Sequence, residues 1–187
     1  MSTTLNFDSS FTFRFLKPGD QHEVKTLCQE CFPVRYADQW YDDIVQENKY
    51  FSLGICDIQT QQLLGLIVAN LLPIQNCNHE DQRILNKSFS STTTVCYILI
   101  LGIARNYRRQ GLAGHLFDRL LQKVVANPTC KAIYLHVLHS NKQAIQFYKS
   151  KSFQYRLHLP YYYLIDGRHY DACCFVRYIN GNDFIQI

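Results

Sequence analysis

Residues Tyr97 to Ala126 read YILILGIARNYRRQGLAGHLFDRLLQKVVA, and the fold turns on how this stretch is read. It begins inside an apolar run, Val95 to Leu101, of the length expected for a strand buried on both faces. Gly102 interrupts that run, which predicts a bulge or the close approach of another backbone. A basic turn from Arg105 to Gln110 leads into Gly111, Leu112, Ala113 and Gly114. From Leu112 onward, apolar residues fall at 112, 113, 116, 117, 120, 121, 124 and 125. Such paired rows at helical spacing put one helix face on a sheet. His115, Asp118, Arg119, Gln122 and Lys123 fall on the other face. The unit is strand, basic turn, helix.

The first turn of a helix leaves backbone N–H groups unpaired, and the macrodipole adds partial positive charge there. Small residues at 111, 113 and 114 let an anion reach those amides, and Arg108 and Arg109 add full charges. The pattern predicts a pyrophosphate cradle. It lacks the spacing and the Lys-Ser/Thr ending of a Walker loop, and it departs from the G-x-G-x-x-G of dinucleotide-binding turns.

Before this unit, Phe11 to Leu16 alternates as a one-faced strand. Asp20 with Glu23 predicts a capping box for a helix reaching about Cys31, and Pro33 breaks it. Asp38 is the expected cap of a second short helix. Tyr50–Asp57 and Leu63–Leu71 read as a hairpin. Leu72 to Thr94 is a long polar connection of a kind often functional or mobile, and its pattern gives it no place. After the central unit come a strand over Ala132–Leu138, a helix beginning at Ser140-Asn141, a strand over Phe153–Leu159 interrupted or edged by Pro160, and a last strand over Cys173–Ile179. The order βααβββαβαββ predicts an α/β fold, a mixed sheet flanked by helices.

The 187 residues suit one domain, 1–187, with its core at about 11–181. An apolar fraction of 47% and a charged fraction of 18% are globular. The net charge of +4 is modest and grouped near 105–109, which favours a phosphorylated ligand over nucleic acid. No apolar run reaches membrane-spanning length, and the N-terminus lacks a signal-peptide pattern. Of the eight cysteines, Cys28-x-x-Cys31 has a ligand-like spacing but no second pair, so no metal is expected.

Arg108-x-x-Gly111-x-Ala113 resembles the coenzyme-A signature of the GCN5-related N-acetyltransferases (GNAT), whose fold matches the element order. Phe32-Pro33-Val34-x-Tyr36, Tyr97-Ile-Leu99, Ile133-Tyr-Leu-His136-Val and Tyr161-Tyr162-Tyr163 look like the N-terminal amine acetyltransferases, and several segments look like the NatF type among them. The resemblance implies transfer of acetyl from acetyl-CoA to the α-amine of protein N-termini of the Met-Leu, Met-Ile, Met-Phe or Met-Lys type. It implies that Leu101, Gly102 and Ile103 hold pantetheine and thioester, that Arg109, Gln110, Gly111, Leu112, Ala113 and Gly114 hold pyrophosphate, and that Asn141 and Tyr148 meet the pantetheine arm. Phe32, Pro33, Tyr36, Leu99, Tyr162 and Tyr163 would wall the acceptor, and Tyr97 and His136 match the catalytic pair. That pair suits the chemistry. A peptide α-amine with pKa roughly 8 must shed a proton before attacking a thioester, His accepts one near neutrality, and Tyr can relay it.

Two departures stand out. Arg35 replaces an acidic residue of NatF relatives, which bears on the second residue of the acceptor. Gly181 to Ile187 is too short for the C-terminal amphipathic helices that attach those relatives to the Golgi membrane. The expectation is a cytosol-exposed protein, with Golgi attachment implied only by resemblance. Lysine or histone acetylation, and a non-catalytic acyl-CoA-binding module, are the competing functions.

Overall fold

The computed structural model describes residues 10–47, 49–85 and 89–181. Along them run β1 (Phe11–Phe15), α1 (Gln21–Cys31), α2 (Asp38–Ile44), β2 (Phe51–Asp57), β3 (Leu63–Pro73), β4 (Thr94–Ile103), α3 (Leu112–Val125), β5 (Cys130–Leu138), α4 (Lys142–Ser150), β6 (Gln154–Ile165) and β7 (Arg168–Tyr178). This is the element order read from the sequence. Most of the N-terminal segment read for a signal peptide, and the tail beyond Gly181 read for an anchor, lie outside the described residues. None of the described helices is long and apolar enough to cross a membrane.

The strands form one sheet in the order β1-β2-β3-β4-β5-β7-β6. All pairs are antiparallel except β4 with β5. On one face α3 and α4 cover Leu64, Ile67, Cys96, Ile98, Ile133 and Leu135. On the other, α1 and α2 cover Leu66, Val68 and Ile100. The rest of that second face is roofed by residues 74–85 of the long connection, which seat Ile74, Cys77, Ile84 and Leu85 against Val95, Tyr134 and Cys174. The long connection is therefore a packed cover. Its backbone is tied down by Tyr178 Oη donating to the Ile84 carbonyl at 2.7 Å.

Two of the sheet's register shifts bear on the cleft. Val68 faces Ile100 and Ala69 faces Ile98, so Leu99 is an extra residue bulged out of β4. The bulge thus sits at Leu99, and what comes close to Gly102 is a side chain rather than the expected backbone. A Cβ there would meet the Phe32 ring at 3.0 Å. In β6, Leu159 pairs with Ala172 but Tyr163 with Tyr170, leaving two extra residues in a bulge where Tyr161 has a φ of 56°. Pro160 does not end this strand, because β6 is an edge and needs no ladder donor there.

Both predicted helix caps are corrected. Asp20 accepts from Arg14 Nη1 at 2.5 Å and Nη2 at 3.0 Å, pinning β1 to the turn before α1. Glu23 instead accepts from the Leu63 amide at 2.6 Å, joining α1 to the β2–β3 hairpin. Asp38 is already inside α2 and pairs with Lys25 at 2.6 Å. Asp20 also accepts from the Lys17 amide at 2.9 Å, so it closes the turn before α1 rather than capping the helix, whereas Glu23 and Asp38 are taken by partners on other elements.

Gly65 shows how tightly β3 lies under β4. A Cβ there would fall 2.3 Å from Ile103 Cδ1 and 2.9 Å from the Gly102 carbonyl oxygen. Gly65→Ala is expected to cost about 1–3 kcal/mol as overpacking, read as a lower urea midpoint with an unchanged m-value.

Candidate active site

The parallel pairing of β4 and β5 ends at Ile98 and Leu135. Beyond that point β4 continues beside β3 to Ile103, and β5 continues beside β7 to Leu138. The two strands part, and a cleft of about 690 Å³ opens between them, within the range of small-ligand sites. Backbone groups along the opened edges lack a strand partner there, and buried backbone polar groups require one. An extended amide-bearing ligand can supply it.

At one end of the cleft lies the start of α3. Gly111, with a φ of 83°, is its N-cap and offers no side-chain acceptor. The helix tolerates this because it buries Leu112, Leu116, Phe117, Leu120 and Val124. At about 1.5–3 kcal/mol each, those contacts outweigh the roughly 1 kcal/mol a side-chain cap adds. The first-turn amides thus remain for an anion, and a diphosphate fits the donor set. Arg109 lines this end, with a φ of 65°. Arg108 lines it too, but its Nε donates to the Ile103 carbonyl at 2.8 Å, bracing the turn against β4. The Gln110 side chain turns away, donating to the Asn106 carbonyl at 3.3 Å. Leu101, Gly102, Ile103, Leu112, Ala113, Gly114, Asn141 and Tyr148 all line the cleft. Asn141 Oδ1 caps α4 by accepting from the Ala144 amide at 3.1 Å.

At the opposite end, Phe32, Pro33, Tyr36, Leu99 and Tyr163 make an apolar wall. Tyr36 stacks on Trp40 with ring centroids 4.2 Å apart, which fixes the loop between α1 and α2. Tyr163 donates to the His136 carbonyl at 3.1 Å. Tyr162, read as an acceptor-wall residue, places its hydroxyl on the catalytic candidate itself, 2.7 Å from His136 Nδ1.

His136 lines the cleft just past the parting point. Tyr97 stands beneath it, its hydroxyl 3.2 Å from the same Nδ1. The other ring nitrogen, Nε2, lies 2.8 Å from Asp81 Oδ1, and both side chains are 1% exposed. A carboxylate only accepts, so the network assigns the proton to Nε2 and leaves Nδ1 one lone pair, which the nearer Tyr162 hydroxyl meets at 2.7 Å with Tyr97 at 3.2 Å behind it. Burial raises the pKa of Tyr97 well above the ordinary phenol value and pushes Tyr162 up to about 12. Both are therefore neutral donors at physiological pH. Burial also raises Tyr148, which stays protonated. The arrangement is an imidazole oriented by a carboxylate and linked to the cleft by hydroxyls, which can take a proton from a nucleophile.

No sequence pattern marks Asp81 as part of the site. It belongs to a connection without periodicity, 55 residues before His136. The one available signal was an acidic cluster in a loop too long to be idle.

A sheet parted between two parallel strands, with a diphosphate cradle and an oriented imidazole in the gap, defines an acyl-coenzyme-A-dependent N-acyltransferase. Residues 22–153 match the acetyltransferase (GNAT) family model, and the chain belongs to that family. It is 42% identical over 170 residues to N-alpha-acetyltransferase 60 of Xenopus tropicalis, covering 90% of this chain and 69% of the relative. Arabidopsis thaliana NAA60 has the same fold in complexes with a bisubstrate analogue (TM-score 0.83) and with acetyl-CoA (TM-score 0.82). Each is 29% identical and covers 92% of this chain and 100% of the neighbour.

Two measurements test the geometry. Acetyl-CoA should raise the Tm of the protein, and Gly111→Asp should abolish that rise by setting a carboxylate among the open amides. Because Tyr162 is held near 12, kcat/KM should stay flat from pH 8.5 to about 10, where an unshifted phenol would be half ionised. A limb falling near pH 10 would mean that the phenols are not buried donors.

Proposed function

We propose that the protein transfers the acetyl group of acetyl-CoA to the α-amine of protein N-termini, choosing those that begin with Met. The whole of 1–187 is read as one N-acetyltransferase unit, since the strands of a single sheet span Phe11 to Tyr178. The observation that carries the reading is His136, held by Asp81 on one nitrogen and by Tyr162 and Tyr97 on the other, at the mouth of the gap between β4 and β5.

When bound, acetyl-CoA supplies an activated acetyl thioester. The first-turn amides of α3 and Arg109 hold its diphosphate, and the open edges of β4 and β5 pair with its pantetheine amides. The acceptor α-amine, with a pKa roughly 8, enters from the apolar end. As it attacks, its proton passes to a Tyr hydroxyl or a water, and that group's own proton passes to His136 Nδ1. Asp81 then faces an imidazolium, which its carboxylate stabilises. Tyr148, protonated and buried beside the cleft, is placed to return a proton to the leaving sulfur.

Phe32, Pro33, Val34 and Leu99 offer the Met side chain an apolar slot. Arg35, exposed between Val34 and Tyr36, has no ion-pair partner among the described residues. Its charge disfavours Lys as second residue relative to Leu, Ile or Phe. The eight cysteines, all free thiols, suit a reducing compartment, so the cytosolic side is the proposed place of action, Golgi-attached or not.

A peptide panel varying residues one and two tests the reading. Met-Leu, Met-Ile and Met-Phe peptides should be acetylated at the α-amine faster than Met-Lys, and Arg35→Glu should invert the Lys disadvantage. Tyr97→Phe and His136→Ala should each lower kcat by roughly ten- to ten-thousand-fold. Their losses should not multiply in the double mutant, since they act on one proton. Acetylation of internal lysines in preference to every α-amine would overturn the assignment.

A further inference from the structure

Asp81, His136 and Cys174 come from three distant segments, yet one donor atom of each lies within 4.8 Å of the others. His136 and Cys174 are directly opposed across the β5–β7 ladder, on the face roofed by residues 74–85. Asp81 descends from that roof. Among the described residues, no other group of three or more His, Cys, Asp or Glu donors is close enough to share an ion. Asp81 is 1% exposed, Cys174 is fully buried, and Asp81 Oδ2 has no hydrogen-bond partner among the described residues. A buried carboxylate oxygen left unpaired is costly, and a cation is one way to satisfy it.

We propose that these three side chains form a Zn²⁺ site whose occupancy arrests acetyl transfer. Thiolate, imidazole and carboxylate together suit a borderline-soft tetrahedral ion. With bonds of about 2.0–2.3 Å, tetrahedral donors sit roughly 3.5 Å apart, so the His136–Asp81 pair, now 2.8 Å apart, must open to admit the ion, while Cys174, within 4.8 Å of both, closes on it. On binding, the Cys174 thiol loses one proton to solvent and becomes a ligand. The ion takes the lone pair of His136 Nε2, and the ring's single proton moves to Nδ1. The site's charge changes from that of one buried carboxylate to neutral, the two ligand anions balancing the ion. Nδ1 changes from acceptor to donor. It then cannot take the proton of the incoming amine, whichever hydroxyl or water relays it. The arrest rests on His136 acting as the base, whereas the site itself does not.

The test uses the full chain, stripped of metal, titrated with Zn²⁺ against a chromophoric chelator, and with Co²⁺ for its thiolate charge-transfer band. One tightly bound Zn²⁺ per chain is expected. Cys174→Ser and Cys174→Ala should each weaken binding at least about 100-fold, beyond the usual cost of losing an outer-shell partner, and remove the Co²⁺ band. Both variants should acetylate normally without metal. Zn²⁺ should inhibit the parent chain, a chelator should restore it, and the variants should resist the same Zn²⁺ concentration. Acetylated peptide is best counted by mass spectrometry, because thiol reagents and released coenzyme A compete for zinc. No Zn²⁺ uptake, or uptake unchanged in both Cys174 variants, overturns the site. Cys174-dependent uptake that leaves the rate intact overturns the arrest, and with it the base role of His136.

Discussion

The parting of two parallel strands is the constraint on which the rest of this structure depends. Up to Ile98 and Leu135 the sheet is continuous. One extra residue, Leu99, is then accommodated in β4, and the strands diverge. Everything with chemical potential gathers at that seam. The cleft is the space between the strands, and the unpaired strand edges supply its polar groups. Without the divergence, β4 and β5 would satisfy each other and leave nothing for a ligand to pair with.

The two ends of the seam are built by opposite means. At the glycine-led end, α3 does without a side-chain cap and leaves its first amides open, because its apolar face contributes far more than a cap would. At the catalytic end nearly every polar group is committed. Asp81, His136, Tyr162 and Tyr97 form a connected set in which a carboxylate selects the tautomer and buried phenols remain donors. Low dielectric strengthens those bonds and makes Asp81 Oδ2, the atom of this set without a partner among the described residues, conspicuous.

The long connection between β3 and β4 ties these features together. Its residues 74–85 cover the half of the sheet face that α1 and α2 leave bare, and they bring Asp81 to the back of His136. A cover that also orients the imidazole couples the fold's stability to its chemistry, since loosening the roof would release the ring.

Much of this was legible in the sequence by itself. The apolar run before Gly102, the basic turn and the paired rows after Leu112 determined a strand, a turn and a helix with an uncapped first turn, because local periodicity and capping residues are properties of contiguous residues. Tyr97 and His136 could be placed on strands for the same reason, while their being on neighbouring strands rested on the order of elements that the family resemblance implies. Tertiary structure alone decided the rest. Asp20, Glu23 and Asp38 left their expected caps for partners elsewhere in the chain, Tyr162 turned onto the imidazole through a bulge that Pro160 concealed, and Asp81 met His136 and Cys174. Most of those contacts join residues far apart in the chain, and even Arg14 with Asp20 meets across a turn between two elements, where helical or strand spacing carries no information. Burial selects among the many partners a polar side chain could take, and burial exists only once the sheet and its roof have closed.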